Sequence, residues 1–214
     1  MERIICLAIG YVCGLFQTAY FYGKSKGIDI RQHGSGNSGT TNALRVLGTK
    51  AGLIVFAGDC LKCVVAVCLT RIIYGDLEMM YLLCMYAATG AILGHNFPFY
   101  MNFKGGKGIA STAGLILSLH PVFIPVGVVL FFGTFLTTHY VSLGSLLVYT
   151  GFMIELVICG QLGLFGMSQA LLIEMYIVGA FLTVMAFWRH RANIGRLVKG
   201  EERKTYLFHK NKAE

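Results

Sequence analysis

Long apolar runs alternate with short polar ones along the whole chain. The apolar runs fall at about 4–23, 51–73, 79–96, 108–120, 121–137, 143–160 and 168–188. A helix needs roughly 20 mostly apolar residues to cross about 30 Å of hydrocarbon, and in lipid its backbone must be bonded internally. The pattern therefore predicts an all-α polytopic membrane protein with seven transmembrane helices. Spans 4 and 5 are short and meet at His120-Pro121, which predicts a helical hairpin. No linker, internal repeat or low-complexity tract breaks the pattern, so residues 1–214 read as a single integral-membrane domain. The first run, Ile4 to about Tyr22, is too long for a signal-peptide core and lacks a clear small-residue cleavage site.

Composition agrees: 56% of residues are hydrophobic and 13% charged, against about 25% charged in soluble domains. The net charge is +8, and its placement is more telling. Segments 24–50, 97–107, 138–142 and 189–214 hold 15 of the 18 Lys and Arg residues. With seven crossings these segments share one side, and the positive-inside rule puts the N-terminus outside and the C-terminus in the cytoplasm. The stretch from Arg189 onward is predicted to begin as a basic surface helix, suited to anionic lipid headgroups. Carboxylates on that face are few: Asp29, Glu201, Glu202 and Glu214. That scarcity argues against a two-metal site, and no metal or cofactor is expected. Cys60 and Cys63 lack a second Cys or His pair for zinc and are read as packing residues. Asp59 and Lys62 lie i, i+3 within the second span and are read as an ion pair facing the bundle interior.

The four polar segments carry the candidate chemistry. In His33 to Arg45, the glycines 34, 36 and 39 permit positive φ, and Ser35, Asn37, Ser38, Thr40, Thr41 and Asn42 are small donors. Arg45 adds a fork suited to phosphate, and a helix starting near Thr40 would point its N-terminus at an anion. The second segment runs from Gly94-His95 through Lys104, Gly105, Gly106 and Lys107 to Gly108, where a helix begins. It lacks the G-x-x-x-x-G-K-[ST] spacing of a nucleotide loop. His95 there is read both as a candidate site residue and as a helix-end histidine bonded to a carbonyl. The third segment, Tyr140 to Ser145, offers Ser142 and Ser145, which could equally be helix caps. The fourth spaces His190, Asn193 and Arg196 near one helical stripe.

These segments resemble the motifs of the bacterial acyl-phosphate:glycerol-3-phosphate acyltransferases, the PlsY family. Ser35 to Arg45 is similar to S-G-N-x-G-[AT]-T-N-x-x-R, and Gly94 to Gly108 to G-H-x-F-P followed by F-K-G-G-K-G. Tyr140 to Ser142 and an H-x-x-N-I-x-R-L-x-x-G-x-E pattern, read from His190 to Glu201, complete the set. Ser38 and Thr40 fall where the first pattern varies. The resemblance implies transfer of a fatty acyl group from acyl phosphate to the 1-hydroxyl of sn-glycerol 3-phosphate, yielding lysophosphatidic acid and phosphate. It implies a seven-span protein of the bacterial cell membrane, with its site facing the cytoplasm. Critical residues would be Ser35, Arg45, Asn193 and Glu201, and His190 is a further catalytic candidate. Lys104, Ser142, His190 and Asn193 would surround glycerol phosphate, and the loop from Gly36 to Asn42 would take the acyl phosphate. His95, Gly105, Gly106, Lys107 and Ser145 complete the substrate-binding candidates.

Acyl phosphate is already activated, so no covalent acyl-enzyme is needed; positioning can contribute roughly 7–11 kcal/mol. The base is either His190 or a phosphate oxygen, the latter favoured because no carboxylate is evident to orient the histidine. The expected partners are the two substrates and membrane lipids, with no nucleic acid, and a monomer is expected to suffice. An acyl-CoA enzyme with H-x-x-x-x-D fits poorly, since no histidine here has an aspartate five residues on. The alternative from another class is a membrane transporter of phosphate or an organophosphate, which usually uses repeats and broken helices near the midplane.

Overall fold

Helix is the only regular secondary structure in the computed structural model, which describes residues 1–206. Lys210, Lys212 and Glu214, counted above, lie outside the described residues. The helices are α1 (Glu2–Gly14), α2 (Thr18–Ser25), α3 (Thr40–Leu47), α4 (Thr49–Tyr74), α5 (Met80–Asn96), α6 (Ile109–Leu119), α7 (Phe123–Thr138), α8 (Val141–Gln161), α9 (Gln169–Arg189) and α10 (Arg191–Val198). Among the described residues, four stretches are long and apolar enough to cross a membrane: Glu2–Ser25, Thr49–Tyr74, Val141–Gln161 and Gln169–Arg189. Helices α5, α6 and α7 are shorter, and α6 and α7 are joined by residues 120–122.

The first apolar run is not one helix. It breaks at Leu15–Gln17, where Gln17 is extended (φ −94°, ψ 90°). Hydropathy is blind to this because the flanking residues are apolar. The Gln17 amide supplies the reason: its Nε2 donates to the carbonyls of Gly14 (3.3 Å), Gly94 (3.2 Å) and His95 (3.0 Å). Carbonyls at helix ends have no intrahelical donor, and one side chain here serves the ends of both α1 and α5.

Helix α5 is buried almost all round, including Leu82–Met85 and Ala87–Ile92, and forms the centre of the bundle. Its closest partner is α1, and the contact is made by glycine. A Cβ on Gly10 would lie 1.9 Å from the Ala87 carbonyl oxygen, and one on Gly90 would lie 2.1 Å from that of Leu7. Gly14 and Gly94 make the same approach one turn on. Small residues spaced by four let helix backbones touch in lipid, where dispersion replaces the hydrophobic effect between helices. Helix α7 is the opposite case: Phe123 and Phe135 are buried, while Val126, Val129, Phe132 and Leu136 face outward.

Each end of the bundle has its own polar chemistry. At one end Arg3 meets Glu174 through two bonds (2.5 and 2.8 Å), and the Tyr86 hydroxyl donates to the same carboxylate (2.8 Å). At the other end the four glycine-rich and basic segments come together. The pair within the second apolar run is buried, as expected: Lys62 Nζ lies 3.0 Å from Asp59 Oδ1.

Candidate active site

The site centres on one carboxylate from the C-terminal segment. Glu202 is buried; its Oε1 accepts from Ser142 Oγ (2.9 Å) and Asn193 Nδ2 (2.6 Å), and its Oε2 from Arg196 Nε (2.7 Å). With its own Nδ2 bound to Glu202, Asn193 turns its Oδ1 to the Lys107 ammonium. Three of the four segments thus meet in one chain of bonds. Arg45, from the remaining one, donates through Nη2 to the Arg203 carbonyl (3.1 Å) and Thr205 Oγ1 (2.6 Å). The result is Arg45, Lys107 and Arg196 around a single buried negative charge, a site with surplus positive potential.

Glu201 is not part of it. It is exposed, with its N–H bonded to the Arg196 carbonyl (2.8 Å). Counted residue by residue from His190, the final glutamate of the H-x-x-N-I-x-R-L-x-x-G-x-E pattern is Glu202. Adjacent residues of an extended segment point to opposite sides, so a shift of one residue exchanges the buried and solvated carboxylates.

Electrostatics set the protonation states. Burial pulls the Lys107 ammonium down to about 8, partly countered by Glu202. Burial, and then the Lys107 charge, pull His190 down to about 4, so its imidazole is neutral at physiological pH. Its Nδ1 lies 2.8 Å from the Ala186 carbonyl and must donate to it, which leaves Nε2 as an acceptor. Burial likewise lowers the Arg45 guanidinium from its ordinary value.

The loop before α3 divides into an inner and an outer part. Asn42 is turned inward as a staple, accepting from the Ser35 N–H (2.9 Å) and donating to the carbonyls of Ile30 (3.1 Å) and His33 (3.0 Å). Ser38 is buried, with its hydroxyl 3.5 Å from Gln17 Oε1. These two side chains shape the loop and do not present donors to a ligand. Ser35 and Gly36 are exposed; Gly34 (φ +60°) and Gly36 (φ +69°) hold the positive φ that glycine permits. Helix α3 begins at Thr40 as expected, and Gly39 supplies no side-chain cap to its first N–H groups. Asn37, Gly39, Thr40 and Thr41 are half-buried along this entry, and the Thr40 hydroxyl is buried without a partner.

Several second-segment candidates are placed differently from the expectation. Gly105 and Gly106 are buried, and their N–H groups are used by the carbonyls of Asn96 and His95 (3.1 Å each). They are not bared amides for phosphate. His95 is buried behind them, 2.8 Å from Lys62 Nζ through Nδ1, away from the open face. Lys104 is exposed and lines an open cleft of about 330 Å³ with Asp29, Arg31, Gln32, Gly36, Met101 and Asn102. In that cleft Arg31 bonds Asp29 (Nη2 to Oδ2, 2.6 Å) and holds its carboxyl down to about 2. Ser145 is buried and bonds back to the Val141 carbonyl (2.7 Å), so it belongs to helix α8 and not to the site. Neither serine caps α8.

With this geometry in place, similarity to known proteins is informative. The sequence profile of the glycerol-3-phosphate acyltransferase family matches residues 4–200. The chain belongs to that family. A glycerol-3-phosphate acyltransferase of Halalkalibacterium halodurans is 41% identical over 206 residues, covering 95% of this chain and 96% of the relative. One from Bacillus subtilis is 36% identical over 204 residues, covering 94% and 96%. The fold matches the crystal structure of PlsY, an integral membrane glycerol 3-phosphate acyltransferase, in its glycerol 3-phosphate form, with TM-score 0.80 and 29% identity over 98% of this chain and 100% of that one. The lysophosphatidic acid form of PlsY matches with TM-score 0.80 and 26% identity, covering 97% of each chain.

The family profile stops at residue 200, yet in this acyltransferase the buried carboxylate and both partners of Arg45 follow it, at Glu202, Arg203 and Thr205. Sequence reasoning also missed two members of the polar network: Gln17, and Arg189, whose Nη2 donates to the carbonyls of Gly105 (3.0 Å) and Gly106 (2.5 Å). Gln17 sits inside an apolar run, and Arg189 reads as one more interfacial cation. Only tertiary contact reveals either.

Proposed function

We propose that this protein transfers a fatty acyl group from acyl phosphate to the 1-hydroxyl of sn-glycerol 3-phosphate, at the cytoplasmic face of the bacterial cell membrane. The observation that carries the reading is the gathering of Arg45, Lys107, Arg196, Asn193 and Ser142 about one buried carboxylate. Two anionic reactants repel each other in water, and a preorganised surplus of cations offsets that repulsion as they approach. The uncapped start of α3, with the exposed Ser35-Gly36 turn, suits a phosphoryl group. The cations Arg45 and Lys107, with Asn193 and His190 beside them, suit glycerol phosphate. Seven spans, with an α6–α7 hairpin and the basic end inside, form the topology we assign, working as a monomer in one domain.

The hydroxyl oxygen attacks the acyl carbonyl carbon, the bond from that carbon to the bridging oxygen breaks, and phosphate leaves with the electron pair. The hydroxyl proton passes to a phosphate oxygen. His190, pulled down to about 4 by burial and so neutral at physiological pH, is oriented by a carbonyl instead of a carboxylate, which makes it a weak base and a good hydrogen-bond partner. Gln in its place lowers turnover without abolishing it; complete loss with intact substrate affinity would make His190 the base. The transporter alternative gains no support, because the cations gather at one end of the bundle.

The test uses purified protein in detergent with a long-chain acyl phosphate. Phosphate and lysophosphatidic acid should appear only when glycerol 3-phosphate is also present. Turnover with acyl-CoA in place of acyl phosphate overturns the donor assignment, and no turnover with any donor overturns the reading as a whole.

A further inference from the structure

We propose that Arg189 and His95 are positioning residues, gripping the Gly105–Gly106 turn from two sides and so aiming the Lys107 ammonium into the site. The inference rests on the acyl-transfer reading above and adds residues that act through Lys107 instead of touching substrate.

Glycine pairs are the most mobile backbone a chain can carry, so a functional lysine placed directly after one needs external restraint. The restraint here is threefold. Arg189 Nη2 donates to both turn carbonyls, Gly105 (3.0 Å) and Gly106 (2.5 Å), while its guanidinium lies over the Phe97 ring at 5.2 Å. The turn N–H groups donate the other way, to the Asn96 and His95 carbonyls. There is no space for either residue to shift toward α5. A Cβ on Gly105 would come 2.0 Å from the His95 carbonyl oxygen, and one on Gly106 would come 2.0 Å from His95 Nε2.

The His95 ring is itself immobilised. The Lys62 ammonium can only donate, so Nδ1 accepts and the proton sits on Nε2, the atom facing Gly106. Lys62 uses its other two protons on Asp59 Oδ1 (3.0 Å) and the Phe16 carbonyl freed by the helix break (2.8 Å). Thr18 Oγ1 donates to the same Asp59 oxygen (2.9 Å), and Ser111 Oγ to the Asp59 carbonyl (3.1 Å). The buried ion pair of the second apolar run is thus the anchor of the clamp. On the far side of Lys107, Gly108 is held against Ile92 and Asn96 in a left-handed turn (φ +86°). With both neighbours fixed, the Lys107 side chain has one direction to leave the backbone, toward Asn193.

The experiment is a double-mutant cycle with R189Q and H95Q, each made alone and with K107M, in purified full-length protein. A hydrogen bond to a charged group contributes about 1.5–3 kcal/mol, so mis-aiming Lys107 should raise the KM for an anionic substrate roughly tenfold to hundredfold. The unfolding temperature should fall by about 3–12 °C, and by the same amount in the K107M background. In the K107M background the same substitutions should change KM less than about twofold. Lys107 should also react several-fold faster with an amine-acylating reagent, read by mass spectrometry, in R189Q and H95Q. This arm needs no turnover, so it separates failure of the clamp from failure of the acyl-transfer reading. Equal KM losses with and without Lys107, or unchanged Lys107 reactivity, overturn the proposal. If R189Q does not fold, R189K replaces it: the shorter cation cannot span both carbonyls, and the same outcomes decide.

Discussion

Replacing Glu202 with Gln, beside the same change at Glu201, is the sharpest test of the site. Gln keeps the shape of the side chain and removes the charge. One carboxylate oxygen takes both Ser142 and Asn193, and the other takes Arg196. The Gln amide retains a single acceptor oxygen and turns an NH2 toward donors, so one side of the cluster is left unpaired. A buried polar group without a partner costs about 1–3 kcal/mol. The Arg196 side chain is 40% exposed, so its lost ion pair adds no more than about 1 kcal/mol after screening. Together these give roughly 1–4 kcal/mol, equal to about 5- to 1,000-fold in turnover if the whole loss falls on the assembled site. Glu201 is exposed, and its Gln variant should stay within about 0.5 kcal/mol, or about twofold. Phosphate release by both variants, with unfolding temperatures in the same detergent, makes the comparison. Should E201Q fall as far as E202Q, or E202Q keep more than half its activity, the carboxylate has been misplaced.

Lys107 predicts a basic limb. With its ammonium drawn down to about 8, raising the pH through that value discharges it, so KM for an anionic substrate should climb above pH 8. Lys107→Arg remains charged throughout and should flatten that limb; an unchanged profile would remove Lys107 from the site. Arg45→Ala should lose roughly tenfold to hundredfold in turnover while staying folded, because its partners are a backbone carbonyl and a hydroxyl of the C-terminal segment; near-normal rates would show that it meets no phosphate. Gly90→Ala forces α1 and α5 apart where a Cβ would sit 2.1 Å from the Leu7 carbonyl oxygen, and overpacking of this kind costs about 1–3 kcal/mol. A lowered unfolding temperature is expected, and an unchanged one would show that the helices can separate freely.

Much of the fold was legible because lipid imposes a length and an apolar face on every spanning helix. The apolar runs coincide closely with α4, α5 and the helices that follow, and α3 starts at Thr40 as its glycine-rich approach suggested. What escaped were features with no hydropathic signature. The break at Gln17 is stabilised by carbonyls of α5, nearly eighty residues away in sequence. The glycines at 10, 14, 90 and 94 look like ordinary small residues until the two helices are set against each other.

The site divides along the same line. From sequence alone came the family motifs, the residue types fit for phosphate and the segments that carry them, since those depend on local chemistry and spacing. Only the tertiary structure decided which donors face outward. It turned Asn42, Ser38, Ser145 and His95 inward as supports and exchanged Glu201 for Glu202. It also set Arg189 against the glycine turn. A polar side chain near the bilayer edge can be satisfied by water or by the protein, and the choice is made by packing between segments far apart in the chain.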